Sequence, residues 1–145
     1  MSASSIFFES EKELIKQVIA DAEKNTSGEI RVHIDNFCLG NPVRKAIRVF
    51  KRLKMYETAE RNAVLIYVSI KNHKLAIVGD VGIDEKVPEG FWDDEKNLMI
   101  NYFKEGNYTK GLEEGIRLVG EQLKLYFPAQ EADKNELSDD ISFGN

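Results

Sequence analysis

Arg61-Asn62-Ala63-Val64-Leu65-Ile66-Tyr67-Val68-Ser69-Ile70 is the stretch on which the fold turns. From Ala63 to Ile70 it carries no charge and does not alternate between apolar and polar residues. A strand with one wet face alternates, whereas a strand covered on both faces reads as a continuous apolar run. The run therefore predicts a central strand with helices on both sides. Downstream, Lys71-Asn72-His73-Lys74 reads as a hairpin connection and Leu75–Val78 as the strand returning antiparallel. Upstream, Asn41-Pro42 opens an amphipathic helix carrying Val43, Ala46, Ile47, Phe50 and Leu53. Asparagine suits the N-cap, and proline at the first helical position sacrifices no hydrogen bond. Before that helix, Glu29–Ile34 alternates, with Ile30, Val32 and Ile34 on one face and Glu29, Arg31 and His33 on the other.

Two strands joined through a helix pair in parallel by a right-handed crossover. Further helices complete the pattern. The first is predicted from a capping box, Ser10 with Glu13, followed by Leu14, Ile15, Val18, Ile19 and Ala22. One follows Pro88, and one runs to about Tyr126 with Leu112, Ile116, Val119 and Leu123 in line. The expected fold is α/β: a three-layer α/β/α sandwich, with a small mixed Rossmann-like sheet flanked by four helices. The expected organisation is a single domain over residues 1–128 and an acidic, flexible tail over 129–145.

The chain has 145 residues and a formal charge of −5. Residues 129–145 alone hold −4, so the body is close to neutral. An acidic balance argues against general polyanion binding, and the basic helix lacks an aromatic platform, so no nucleic-acid partner is expected. The N-terminus lacks the basic and apolar regions of a secretory signal, and no apolar run reaches about 18–20 residues. A cytoplasmic chain that is not an integral membrane protein is the expectation. Cys38 is the lone cysteine and has no internal partner for a disulfide. P-loop, dinucleotide-binding and EF-hand patterns are absent, and one cysteine with two separated histidines cannot build an ordinary structural zinc site. His33 and His73 read as structural, and no histidine or serine nucleophile constellation is visible.

Charge is segregated within the body. Residues 41–61 carry a net +5, with Arg44, Lys45, Arg48, Lys51, Arg52, Lys54 and Arg61 against Glu57 and Glu60. Residues 80–95 carry a net −6, including Asp80, Asp84, Asp93 and Asp94. Clustered carboxylates suit a hard cation, and a guanidinium nearby suits phosphate oxygens. The competing reading makes the basic residues a solvated helix face and the acids a complement to a helix dipole. Asp80 follows a strand and lies between Gly79 and Gly82, where the backbone can turn sharply; its structural role there would be an Asx-type turn. Arg61 has Glu57 and Glu60 as alternative partners. Gly111 and Gly115 are expected to permit close helix–sheet packing.

Three segments carry a resemblance: Thr26-Ser27-Gly28-Glu29-Ile30-Arg31-Val32, Thr58 with Arg61-Asn62-Ala63-Val64-Leu65-Ile66-Tyr67, and Gly79-Asp80-Val81-Gly82-Ile83. With Phe91-Trp92-Asp93, Gly106-Asn107-Tyr108, Gly111, Phe127-Pro128 and Asn135-Glu136-Leu137, they resemble the TPM-domain (TPM phosphatase) family over nearly the whole chain. The resemblance implies an α/β/α sandwich, divalent-cation binding and, in some members, phosphatase activity. Other members are membrane-associated accessory or interaction domains. This chain departs from those in having neither an export signal nor a transmembrane tail, and in carrying Ala63 where glycine is usual.

The expectation that follows is a divalent-metal-dependent phosphohydrolase acting on a phosphorylated small molecule or nucleotide with metal-activated water. Asp80, helped by Asp84, Asp35 or Asp93, would hold Mg²⁺ or Ca²⁺, and Arg61 would offset charge developing on phosphoryl oxygens. Ligands of α/β sheets bind beyond strand C-termini, a rule read here as placing Asp35 and the Ile70 turn at opposite ends of the sheet. Asp80 ends an antiparallel strand, so the sequence leaves open whether it meets Asp35. The alternative is a non-catalytic Ca²⁺/Mg²⁺-binding module that contacts a protein partner.

Overall fold

The computed structural model describes residues 7–129 and 141–144. Its elements are α1 (Glu9–Glu23), β1 (Glu29–Asp35), α2 (Pro42–Arg52), β2 (Ala63–Ser69), β3 (Lys74–Gly79), α3 (Val81–Asp84), α4 (Phe91–Lys104), α5 (Tyr108–Tyr126) and β4 (Ser142–Phe143). The sheet order is β3-β2-β1-β4. β2 is interior and every residue in it is buried, as its apolar run requires. It pairs in parallel with β1, from Glu29↔Ala63 to Asp35↔Ser69, and antiparallel with β3. The two faces separate by residue parity. Ile30, Val32, Ile34, Val64, Ile66 and Val68 pack under α1, α4 and α5, while Ala63, Leu65, Tyr67 and Ala76 pack under α2. This is the three-layer α/β/α architecture.

Several local expectations shift. α1 begins one residue before Ser10, and its first turn is closed by the Phe8 N–H donating to Glu11 Oε1 at 2.9 Å rather than by Ser10 with Glu13. Among the described residues, five helices rather than the expected four flank the sheet, because Asp80 caps the single-turn α3. Gly111 and Gly115 serve helix–helix rather than helix–sheet contact: side chains there would meet Phe103 and Met99 of α4. The tail is not uniformly free of structure, since Ser142–Phe143 pairs in parallel with β1 at His33 and Ile34. The rest of the expected flexible tail, 130–140 and Asn145, lies outside the described residues. Asn41 caps α2 as expected, accepting from the Val43 and Arg44 N–H groups.

Glu95 is the exception in the α4–α5 interface. It is 4% exposed, its Oε2 has no hydrogen-bond partner among the described residues, and burial with the nearby charge of Glu121 pushes its carboxyl up to about 7. A folded-state value above the unfolded one means the native state binds the extra proton, so stability falls as pH rises from about 4.5 to 7. Glu95→Gln removes that dependence, and urea unfolding at pH 8 is expected to show a variant more stable than wild type by up to about 3 kcal/mol. At pH 4 the two should coincide.

Candidate functional site

Polar residues of β1 project from the face that α2 only partly covers. α2 packs over β3 and β2 rather than β1, so the Glu29, Arg31, His33, Asp35 side of β1 borders a groove between α2 and β4. β1 leads through α2 to β2 on one side and meets β4 on the other, and both strands end on the same edge. Open α/β sheets bind ligands at such a place, outside strand carboxyl ends where the order of connection reverses. A cavity of 740 Å³ lies there, with Asp35, Lys45, Arg48, Arg52, Ser142 and Gly144 in its lining.

Its floor is a buried hydrogen-bond chain. His33 Nε2 lies 2.8 Å from Asp35 Oδ1, and the Tyr67 hydroxyl donates to Asp35 Oδ2 at 2.7 Å. His33 Nδ1 lies 2.9 Å from Ser142 Oγ. The register that sets His33 opposite Tyr67 also stacks their rings, with centroids 5.9 Å apart and planes within 9°. Lys45 Nζ stands 3.9 Å from Asp35 Oδ2. Burial alone would push the Asp35 carboxyl up, but the hydrogen bonds from His33 and Tyr67 and the Lys45 charge outweigh it. The group is held below the usual aspartate range. Burial, then the hydrogen bond to Asp35, pushes the Tyr67 phenol up, so it remains a donor. The result is a fixed carboxylate beneath three cationic side chains.

Asp80 and Arg61 lie elsewhere. The Arg61 Nε and Nη2 donate to Asp80 Oδ2 and Oδ1 at 2.6 and 2.9 Å, so the arginine partners neither Glu57 nor Glu60 but the aspartate itself. Arg61 has a φ of 52°, and Gly82 lets α3 press against that corner, since a Cβ there would strike the Glu60 and Arg61 carbonyls. Asp80 also accepts from the Val81 N–H at 2.8 Å, the Asx-type role. The backbone N–H of Asp80 bonds Ala63 at the start of β2, whereas Asp35 sits beside Ser69 at its end. Six strand residues, about 20 Å, separate them. The Ile70 turn is at the same end as Asp35, not the opposite one, because parallel pairing makes β1 and β2 finish together and the Ile70 N–H donates to the Asp35 carbonyl at 3.0 Å.

The four acids are therefore not brought together. Asp84 accepts from the Trp92 indole at 2.9 Å, and Asp93 is exposed on the first turn of α4. Among the described residues, no group of three or more His, Cys, Asp or Glu side chains could hold a metal ion. Both Asp80 oxygens face a guanidinium, and the Asp35 oxygens face donors and a lysine. A divalent cation does not fit either place as the side chains stand. Sequence reasoning missed His33, Tyr67 and Ser142. The signal for His33 and Asp35 was their two-residue spacing on one strand face; Ser142 offered none.

Replacing Tyr67 tests the carboxylate. A lowered Asp35 value contributes stability above the unfolded aspartate range, and that stability is lost as pH falls through the folded value. In Tyr67→Phe, carboxyl NMR should show the Asp35 midpoint moving up. Unfolding at pH 7 should cost about 1.5–3 kcal/mol of stability, a deficit that narrows in acid.

The comparisons with known proteins agree with this architecture. A family model for the TPM domain, named TPM phosphatase, matches residues 2–122. The NMR structure of the BA42 protein from the psychrophilic bacterium Bizionia argentinensis is similar at 42% identity. It covers 95% of each chain, with a TM-score of 0.89. The N-terminal domain of a protein from P. gingivalis shares the fold at 18% identity, over 84% of this chain and 79% of that one, with a TM-score of 0.68. The N-terminal domain of cg2496 from Corynebacterium glutamicum does so at 13%, over 81% and 74%, with a TM-score of 0.64. No curated protein matches the chain. No helix among the described residues is long and apolar enough to cross a membrane. With a family model spanning residues 2–122 and a solved relative of closely similar fold at 42% identity, the chain belongs to the TPM-domain family.

Proposed function

We propose that the chain is a cytoplasmic phosphohydrolase that binds phosphate esters or anhydrides, nucleotide phosphates among them, in the groove between α2 and β4. One observation carries this reading: Lys45, Arg48 and Arg52 line a cavity whose floor is a fixed carboxylate hydrogen-bonded to a histidine. Guanidinium and ammonium groups supply charge-assisted hydrogen bonds to phosphoryl oxygens and offset charge that develops there during transfer. The carboxylate keeps the imidazole oriented. Mg²⁺ or Ca²⁺ enters the proposal as an ion carried by the phosphate substrate rather than as a resident of an acidic cage. Asp80 with Arg61 is the competing locus, at the opposite end of the sheet.

Exposed Phe37 and Leu39, which line the same cavity, favour a second reading in which the groove receives a protein partner without catalysis. An assay separates the three. Phosphate release from p-nitrophenyl phosphate and from a nucleoside triphosphate would be followed with Mg²⁺, Ca²⁺ or EDTA. The expected result is release by wild type, retained in Asp80→Ala, with inorganic phosphate bound at least about tenfold more weakly by Lys45→Gln/Arg48→Gln. Loss of activity in Asp80→Ala with full phosphate affinity in the groove variant would move the site to the Arg61 corner. No release from either substrate would leave the partner-binding reading.

A further inference from the structure

Ser142, His33 and Asp35 form one continuous hydrogen-bonded line at the edge of the cavity. In the neutral imidazole, an ionised Asp35 accepting from Nε2 places the ring proton on that nitrogen and leaves Nδ1 with its lone pair. The Ser142 hydroxyl, 2.9 Å away, then donates to Nδ1. A serine donating to a histidine that a buried carboxylate orients is the arrangement of an activated nucleophile, recognised by geometry rather than by chain order. The ring is used in the opposite sense from the serine-protease arrangement, with the carboxylate on Nε2 and the serine on Nδ1.

We propose that Ser142 is a nucleophile activated by His33 and Asp35, and that it takes the phosphoryl group of monoesters bound against Lys45, Arg48 and Arg52. Fastening β4 does not require this serine, because the Gly144 N–H already donates to the Ile34 carbonyl at 2.9 Å. Gly144 instead keeps the line intact: a Cβ at that position would run into Asp35 Oδ1 and His33 Nε2. Ser142 also lines the cavity beside the cationic side chains, where a phosphoryl group would sit.

The chemistry balances without a further reactant except water. As the Ser142 Oγ–P bond forms, the hydroxyl proton passes to His33 Nδ1 and the bond from phosphorus to the leaving oxygen breaks. His33 returns that proton to the leaving alkoxide, releasing the alcohol. Water then attacks phosphorus, giving its proton to Nδ1 while the Ser142 Oγ–P bond breaks, and His33 reprotonates Ser142 as phosphate departs. Asp35 stays ionised throughout as a positioning residue, and Tyr67 holds its second oxygen.

The substrate class rests on the phosphohydrolase reading above, but activation of Ser142 is measured separately. The full 145-residue chain would be treated with a fluorophosphonate probe and mapped by mass spectrometry. A single adduct on Ser142 is expected, absent in Ser142→Ala and formed at least about 100-fold more slowly in His33→Gln. An unlabelled Ser142, or labelling at the same rate in a folded His33→Gln, overturns the proposal. Because His33 is buried, Ser142→Cys supplies a second readout: its alkylation by iodoacetamide should persist to lower pH than that of a free thiol. An ordinary thiol profile overturns the relay. Hydrolysis of p-nitrophenyl phosphate should fall about 100-fold in Ser142→Ala; an unchanged rate sinks the relay and leaves the phosphohydrolase reading standing. Fluorophosphonate labelling of Ser142 that inorganic phosphate does not protect retains the relay and overturns the phosphate assignment.

Discussion

The parallel pairing of β1 with β2 is the constraint from which the other features descend. Its register sets Glu29 opposite Ala63 and Asp35 opposite Ser69, and so fixes which residues share a face. On one face it stacks Ile30, Val32 and Ile34 beside Val64, Ile66 and Val68, the floor on which α1, α4 and α5 pack. On the other it brings His33 against Tyr67. A slip of one residue would send every β1 side chain to the opposite face, placing His33 and Asp35 in the larger apolar core without partners.

Two ends of the same sheet meet opposite electrostatic needs. At one end, Arg61 and Asp80 satisfy each other in a two-point ion pair that ties the entry of β2 to the exit of β3. Geometry of that kind closes a corner and leaves little of either group for a ligand. At the other end, Asp35 is buried and holds its charge through donors from its own strand, His33, and from β2, Tyr67, while the cations above it are set on α2, partly exposed. Surplus positive charge over a cavity is an arrangement that an anion can complete. The charge segregation along the chain thus sets cationic side chains of α2 along the groove beside β1.

The local code was readable where chain neighbours decide the outcome. Asn41-Pro42 specified the start of α2 because a cap and its turn involve adjacent residues. The run from Ala63 specified a buried strand because both its faces must be covered. Gly111 and Gly115 were readable as sites of close approach but not as to what approaches, since α4 reaches them only through the hairpin of two helices. Asp35 was singled out for its chemistry, yet its partners are His33 and Tyr67, and His33 in turn meets Ser142, more than a hundred residues away.

By itself, then, the sequence determined the element order, the mixed sheet, the two apolar faces and the presence of a basic helix. These depend on periodicity, turn chemistry and charge within short windows. Tertiary structure alone decided that Asp80 is held by Arg61, that Asp35 and Asp80 lie at opposite ends of β2, and that the C-terminal segment adds Ser142 to the β1 edge. Those are pairings across the chain, and a side chain's partner is set by sheet register and by where a distant segment docks, which no local pattern encodes.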